Sequence, residues 1–159
     1  MEINDFLVLH QADARNTTLN AGNNTLVFDI PSTYYTNQRS SVCSLSLVDF
    51  GFVENGTDNY LLVYYDNIGQ NQFNSSNNGV YLGHAVCRFD ANSTYQTPDV
   101  EKVEVLVNAR PTTISIKVLA EGNSPLGAAI TNAFFVLKFK YGNAVDTSEL
   151  LLEQYTPTL

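Results

Sequence analysis

Residues 102–120 read KVEVLVNARPTTISIKVLA, and the reading of this stretch decides the fold. Val103, Val105 and Val107 alternate with Lys102, Glu104 and Leu106; beyond Ala109-Arg110-Pro111, Ile114, Ile116 and Val118 alternate with Ser115, Lys117 and Leu119. A period of two sends successive side chains to opposite faces of a pleated strand. Two strands joined by a proline-containing turn are therefore predicted, each with one face for a core and one for water. Leu106 and Leu119 fall on the watery faces, where apolar side chains that cluster mark contacts with other subunits.

The same alternation recurs on both sides. Downstream, residues 133–141 place Phe135, Leu137, Phe139 and Tyr141 against Lys138 and Lys140. Upstream, residues 6–10 form a first strand. Residues 25–30 form a second, stopped by Pro31, with Leu26, Phe28 and Ile30 on one face and Val27 and Asp29 on the other. Val27 joins Leu106 and Leu119 as a candidate interface residue. In residues 41–52, Cys43, Leu45 and Leu47 alternate with Ser44 and Ser46, then the phase changes to Phe50 and Phe52, as a β-bulge near Val48 and Asp49 would require. Residues 60–65 are apolar throughout, which suits a strand covered on both faces, and residues 80–89 form another strand. Asn55-Gly56 and the Asn-rich stretch 66–79 mark connections.

Eight short strands with Gly, Pro and Asn punctuation predict an all-β chain, an eight-stranded antiparallel β-sandwich of the jelly-roll type. One domain over residues 1–142 is expected, with a tail or arm over 143–159. The tail contains Leu150, Leu151 and Leu152 in succession, which need an apolar surface on this domain or on a neighbour, so they are read as interface residues.

Charge and motifs narrow the function. Sixteen Asp and Glu oppose eight Lys and Arg, a net charge of −8, and the basic residues are scattered from Arg15 to Lys140. Phosphate neutralisation needs clustered basic side chains, so direct nucleic-acid binding is not expected. No apolar run is long enough for a membrane helix. Residues 1–9 carry Glu2 and Asp5 and lack the pattern of a signal peptide, so intracellular synthesis without one is expected. Cys43 and Cys87 lack zinc or redox spacing and are read as two buried thiols, with one disulfide as the alternative. The five Asn-x-Ser/Thr triplets are read as products of an Asn-rich composition.

Nothing carries a recognisable chemistry. His10 and His84 stand alone on their strands, and His84 is read as a packing residue. Nucleophile-elbow, zinc-hydrolase and phosphate-loop motifs are absent. Asp66-Asn67 and Asp90-Ala91-Asn92 resemble turns better than calcium loops. Converging carboxylates among Asp29, Asp49, Asp90 and Asp99 are the one catalytic opening. A non-enzymatic chain without cofactor, metal or catalytic residues is expected. Tyr34, Tyr35, Phe73 and Tyr95, in Tyr-rich and Asn-rich loops, are the candidate recognition residues. They support an alternative role as a lectin-like or receptor-binding module.

The segment NARPTTISIKVLAEGNSPLG followed by AFFVLKFKY, within residues 108–141, together with VCSLSLVDFGF at 42–52, resembles small jelly-roll capsid proteins of double-stranded DNA viruses. The resemblance implies two four-stranded sheets, with strands one, eight, three and six in one and two, seven, four and five in the other. Connections after strands one, three, five and seven would then share one rim, with residues 31–40 and 66–79 at the opposite end. It also implies a place in the virion capsid, as a penton-like vertex protein forming a cyclic homo-oligomer, pentamer favoured, or as a minor subunit beside other capsid proteins.

Overall fold

The computed structural model describes residues 4–35, 41–54, 58–66, 78–87 and 103–141. Eight strands follow one another: β1 (Asn4–His10), β2 (Thr25–Asp29), β3 (Val42–Glu54), β4 (Tyr60–Tyr65), β5 (Val80–Val86), β6 (Val105–Asn108), β7 (Thr113–Ala120) and β8 (Ile130–Lys140). They form two antiparallel sheets, ordered β1-β8-β3-β6 and β2-β7-β4-β5. This is an eight-stranded β-sandwich with jelly-roll order, the arrangement that the resemblance implies.

The pairing has a simple logic. β4 pairs with β5, β3 with β6, β2 with β7 and β1 with β8, so the chain is one long antiparallel ribbon folded back at its middle. Rolling the ribbon makes two further ladders, β3 with β8 and β4 with β7, and these join the four pairs into two sheets. The inner faces meet in one core. Leu45, Leu47, Phe50, Phe135, Leu137 and Phe139 from one sheet are fully withdrawn from water, as are Leu26, Leu61, Val63, Leu82, Ile114 and Ile116 from the other. Phe50 stacks on Phe135 at 4.8 Å with ring planes 8° apart, across directly paired positions.

The bulge expected at Val48 is present. Leu47 pairs with Leu137 and Asp49 with Val136, leaving Val48 without an opposite residue. Inward positions therefore shift from Cys43, Leu45 and Leu47 to Phe50, Phe52 and Glu54. A second shift was not expected: Asn132 and Ala133 together oppose Phe52, and Asn132 takes the left-handed backbone at φ 53°. Asn tolerates that conformation better than most residues. A third lies at Leu82, between the pairs Val63 with Gly83 and Tyr64 with Tyr81.

The fourth strand is only partly covered. Tyr60 and Leu62 remain half-exposed on its outer side, because that sheet has no layer beyond it over them. Cys43 and Cys87 are both free, Cys43 buried as expected and Cys87 only partly buried; burial raises each thiol to about 12, with neighbouring carboxylates adding to the rise at Cys87.

Gly51 pairs with Phe134, whose ring lies over the glycine, and a Cβ there would overlap the ring. Gly51→Ala is expected to destabilise the protein by about 1–3 kcal/mol, the usual range for overpacking. In urea denaturation the Phe134→Ala background should relieve part of that loss, giving clear non-additivity.

Candidate assembly surface and rim

Among the described residues, the outer face of the β1-β8-β3-β6 sheet holds most of the exposed large apolar side chains. Phe6 and Val8 on β1 are 45% and 56% exposed, Val42 on β3 is 42% exposed and Leu106 on β6 is 46% exposed. Register places them at two margins. Phe6 lies opposite Lys138 and Val8 opposite Val136, while Leu106 and Lys140 flank Ser44 from either side. Two apolar margins thus border a polar centre made by Lys138, Lys140 and Ser44, while Ser46, opposite Lys138, is itself buried. Lys140 lies 3.7 Å from Glu104 in a partly exposed ion pair. The inner face of the same sheet is spent on the core, so the outer face is what this layer can offer another molecule.

The predicted interface residues divide. Leu106 is exposed as expected, and Val27 is half-buried, its backbone carbonyl accepting the Arg15 N–H at 2.8 Å. Leu119 is corrected: it is only 5% exposed. It stands opposite Leu62 on central strand β7, and the turn that follows folds back toward β4, where the Tyr64 hydroxyl bonds to Asn123. Phe6, Val8 and Val42 are exposed apolar residues that the sequence reading does not nominate. Phe6 and Val8 belong to a five-residue segment too short for its alternation to separate inside from outside. Leu150, Leu151 and Leu152 lie outside the described residues.

The recognition residues divide too. Tyr34 is exposed, and its hydroxyl donates to the Phe6 carbonyl, tying the turn after β2 to edge strand β1. Tyr35 is corrected: it is 3% exposed, meets Phe139 edge-on at 6.4 Å and donates its hydroxyl to the Pro111 carbonyl. A tyrosine can plug a sandwich end when its hydroxyl finds an acceptor, and burial raises its pKa. Phe73 and Tyr95 lie outside the described residues. His84 is exposed rather than packed, with Nδ1 2.9 Å from the Tyr81 hydroxyl and its ring edge-on to Tyr60.

Connections after β1, β3 and β7 meet at one rim. Gln11 is buried there, its amide donating to the carbonyls of Thr17 and Ile130 and its oxygen accepting the Ala133 N–H. Beside it an open groove of about 530 Å³ is lined by His10, Asp13, Thr17 and Asn132. At the opposite end, Ile30 donates to Thr112 and Ala109 to Ser41, joining the described ends of the β2-β3 connection to the β6-β7 turn.

Of the nominated carboxylates, the two among the described residues, Asp29 and Asp49, do not converge. Asp29 forms an exposed bidentate pair with Arg15, which lowers its pKa, and Asp49 accepts from the adjacent Phe50 N–H. Asp90 and Asp99 lie outside the described residues. The pair that does converge is Glu54 and Asp58, 2% and 6% exposed. Asp58 accepts the Gly127 N–H, at 2.9 Å to its nearer oxygen. Among the described residues no donor reaches either Glu54 oxygen with hydrogen-bond geometry, although Asp58 lies close. Burial first, and the Asp58 carboxyl second, push Glu54 up to about 8. The signal was in the sequence: Phe50, Phe52 and Glu54 share one phase, so the carboxyl sits where the next core residue belongs. No group of three or more His, Cys, Asp or Glu side chains is arranged to hold a metal among the described residues.

Comparison with known proteins adds no family: no family model matches the chain, and no curated protein matches it. No helix among the described residues is long and apolar enough to cross a membrane. The fold and its surfaces therefore carry the functional reading.

A carboxyl with a raised folded-state pKa favours folding at low pH and loses that advantage as pH rises. In buffer without divalent cations, stability should fall from about pH 4.5 to about pH 8 as Glu54 is forced to ionise. Glu54→Gln should flatten this slope and raise Tm at pH 8 by roughly 2–4 °C per kcal/mol relieved. Thermal melts across that range check both.

Proposed function

We propose that this chain is a capsid structural subunit, a vertex-type or minor capsid protein, which works by associating with its own copies and with neighbouring capsid proteins. The observation that carries the reading is the set of exposed apolar residues Phe6, Val8, Val42 and Leu106 on one outer sheet face. The jelly-roll strand order supports it, because it agrees with the resemblance of residues 42–52 and 108–141 to small capsid proteins. In this reading the role is structural rather than catalytic, and the site of action is the virion.

The mechanism follows from the geometry. A closed ring needs two different patches on each subunit, one meeting the other head to tail. The β1 margin and the β3-β6 margin lie at opposite sides of the same face, separated by the lysine-bearing centre. Burying apolar side chains contributes about 25 cal/mol per Å², and the ionic centre fixes which neighbour fits. A pentamer is the favoured closure.

The lectin-like or receptor-binding alternative has less support. Tyr35, one of its four loop residues, is committed to the core, and Tyr34 already spends its hydroxyl on Phe6.

Sedimentation velocity tests the proposal. The purified chain, alone or mixed with its partner capsid proteins, should form a discrete oligomer. The Phe6→Asp/Val8→Asp variant should keep its circular dichroism spectrum while associating at least about tenfold more weakly, roughly 1.4 kcal/mol. A wild-type chain that stays monomeric at high concentration with and without those partners contradicts the reading, as does a variant that associates unchanged.

A further inference from the structure

Glu54 and Asp58 bracket the connection between β3 and β4, and the turn after β7 lies against them. Glu54 comes from the end of β3, Asp58 from just before β4, and Gly127 and Glu121 from the β7-β8 connection. A carboxylate offers about four lone-pair sites. Two buried carboxylates therefore present about eight; the one N–H with hydrogen-bond geometry runs from Gly127 to Asp58, and the Asp58 backbone N–H lies near Glu54 without reaching that geometry. The neighbouring Asn59 amide is committed elsewhere, donating to both Glu121 oxygens at 3.1 and 3.2 Å. No Lys or Arg among the described residues pairs with Glu54, Asp58 or Glu121. The Cys87 thiol, whose backbone N–H donates to Asn59, feels all three carboxylates and offers only a weak S–H.

Such a cluster has a surplus of acceptors and negative charge and a deficit of donors. Burying a carboxylate without partners is strongly unfavourable, and the deficit is largest at Glu54, whose two oxygens are both withdrawn from water and without a hydrogen bond. We propose that Glu54 and Asp58 together bind a hard divalent cation of the calcium or magnesium class. Such ions are held by carboxylate oxygens, and two carboxylates leave several coordination positions to backbone carbonyls or water. Among the described residues the nitrogen and sulfur set that a softer metal needs is not assembled here: His10 and His84 stand on other elements, and Cys87 is a single sulfur. Bound there, the cation staples the β3-β4 connection to the start of β4 beside the β7-β8 turn. Its effect lies inside one protomer, at the rim and not among Phe6, Val8, Val42 and Leu106, so the inference stands apart from the assembly proposal.

Titration calorimetry and thermal melts of the full chain with CaCl2 and, separately, MgCl2 test this, against NaCl at matched ionic strength and after treatment with a chelator. One site per chain is expected, with a Kd of roughly 0.1–1 mM, the weak end of the calcium range, because only two protein carboxylates contribute. Tm should rise over the same concentrations. Glu54→Gln, which keeps the shape and removes the charge, and Asp58→Asn should each weaken binding at least tenfold, while Asp29→Asn at the exposed ion pair should leave it unchanged. No heat and no Tm shift up to about tenfold above the expected Kd would overturn the inference, leaving a carboxyl pair that shares a proton. A response equal in wild type, Glu54→Gln and the NaCl control would overturn it too, as general screening of the net charge.

Discussion

The β3-β8 ladder is the constraint on which the rest of this structure depends. Four ladders follow the ribbon, strand one with eight, two with seven, three with six and four with five, but β3 with β8, like the shorter β4 with β7, exists only once the ribbon has rolled up. It is the longest ladder among the described residues and carries the stacked Phe50 and Phe135, the close approach of Phe134 over Gly51 and two register shifts. Those shifts have consequences at both surfaces of the sheet. The first, at Val48, brings Phe50 and Phe52 inward. In the same phase, two residues on from Phe52, it brings Glu54 inward as well.

The core and the rim acid are therefore parts of one pattern. Alternation buries whatever occupies the inward position, and at Glu54 that is a carboxyl. The surrounding core supplies low polarity, Asp58 supplies a second negative charge, and Gly127 satisfies only Asp58. A fold that would otherwise seal this end with one more apolar side chain keeps a charged pair there instead. At the opposite end the same problem is solved differently, with the large Tyr35 buried and its hydroxyl bonded to a backbone carbonyl.

Much of the fold was legible in the sequence because period-two patterning is local and strong. The strands around residues 42–52, 105–108, 113–120 and 130–140 announce their faces, and even the bulge at Val48 is visible as a phase change. What escaped depends on partners that lie far away in the chain. Leu119 alternates outward, but its exposure is decided by Leu62 opposite and by the turn beyond it. Tyr35 sits in a polar loop, but Pro111 and Phe139 make it a core residue. The bulge at Asn132 has no phase signal, since Phe134 and Phe135 are both large and apolar. Glu54 was legible in phase but passed over, because the third strand was expected to end at Phe52, which left Glu54 in the turn, whereas β3 runs on to Glu54.

In this account the inner faces build the sandwich and the outer face of β1-β8-β3-β6 builds the assembly. Electron cryo-microscopy of the assembled particle tests that division most directly. The account predicts a ring of subunits, five in the favoured closure, in which Phe6 and Val8 of one copy are buried against a neighbour and the sheet order is unchanged. Phe6, Val8, Val42 and Leu106 all facing solvent in the assembly would contradict it.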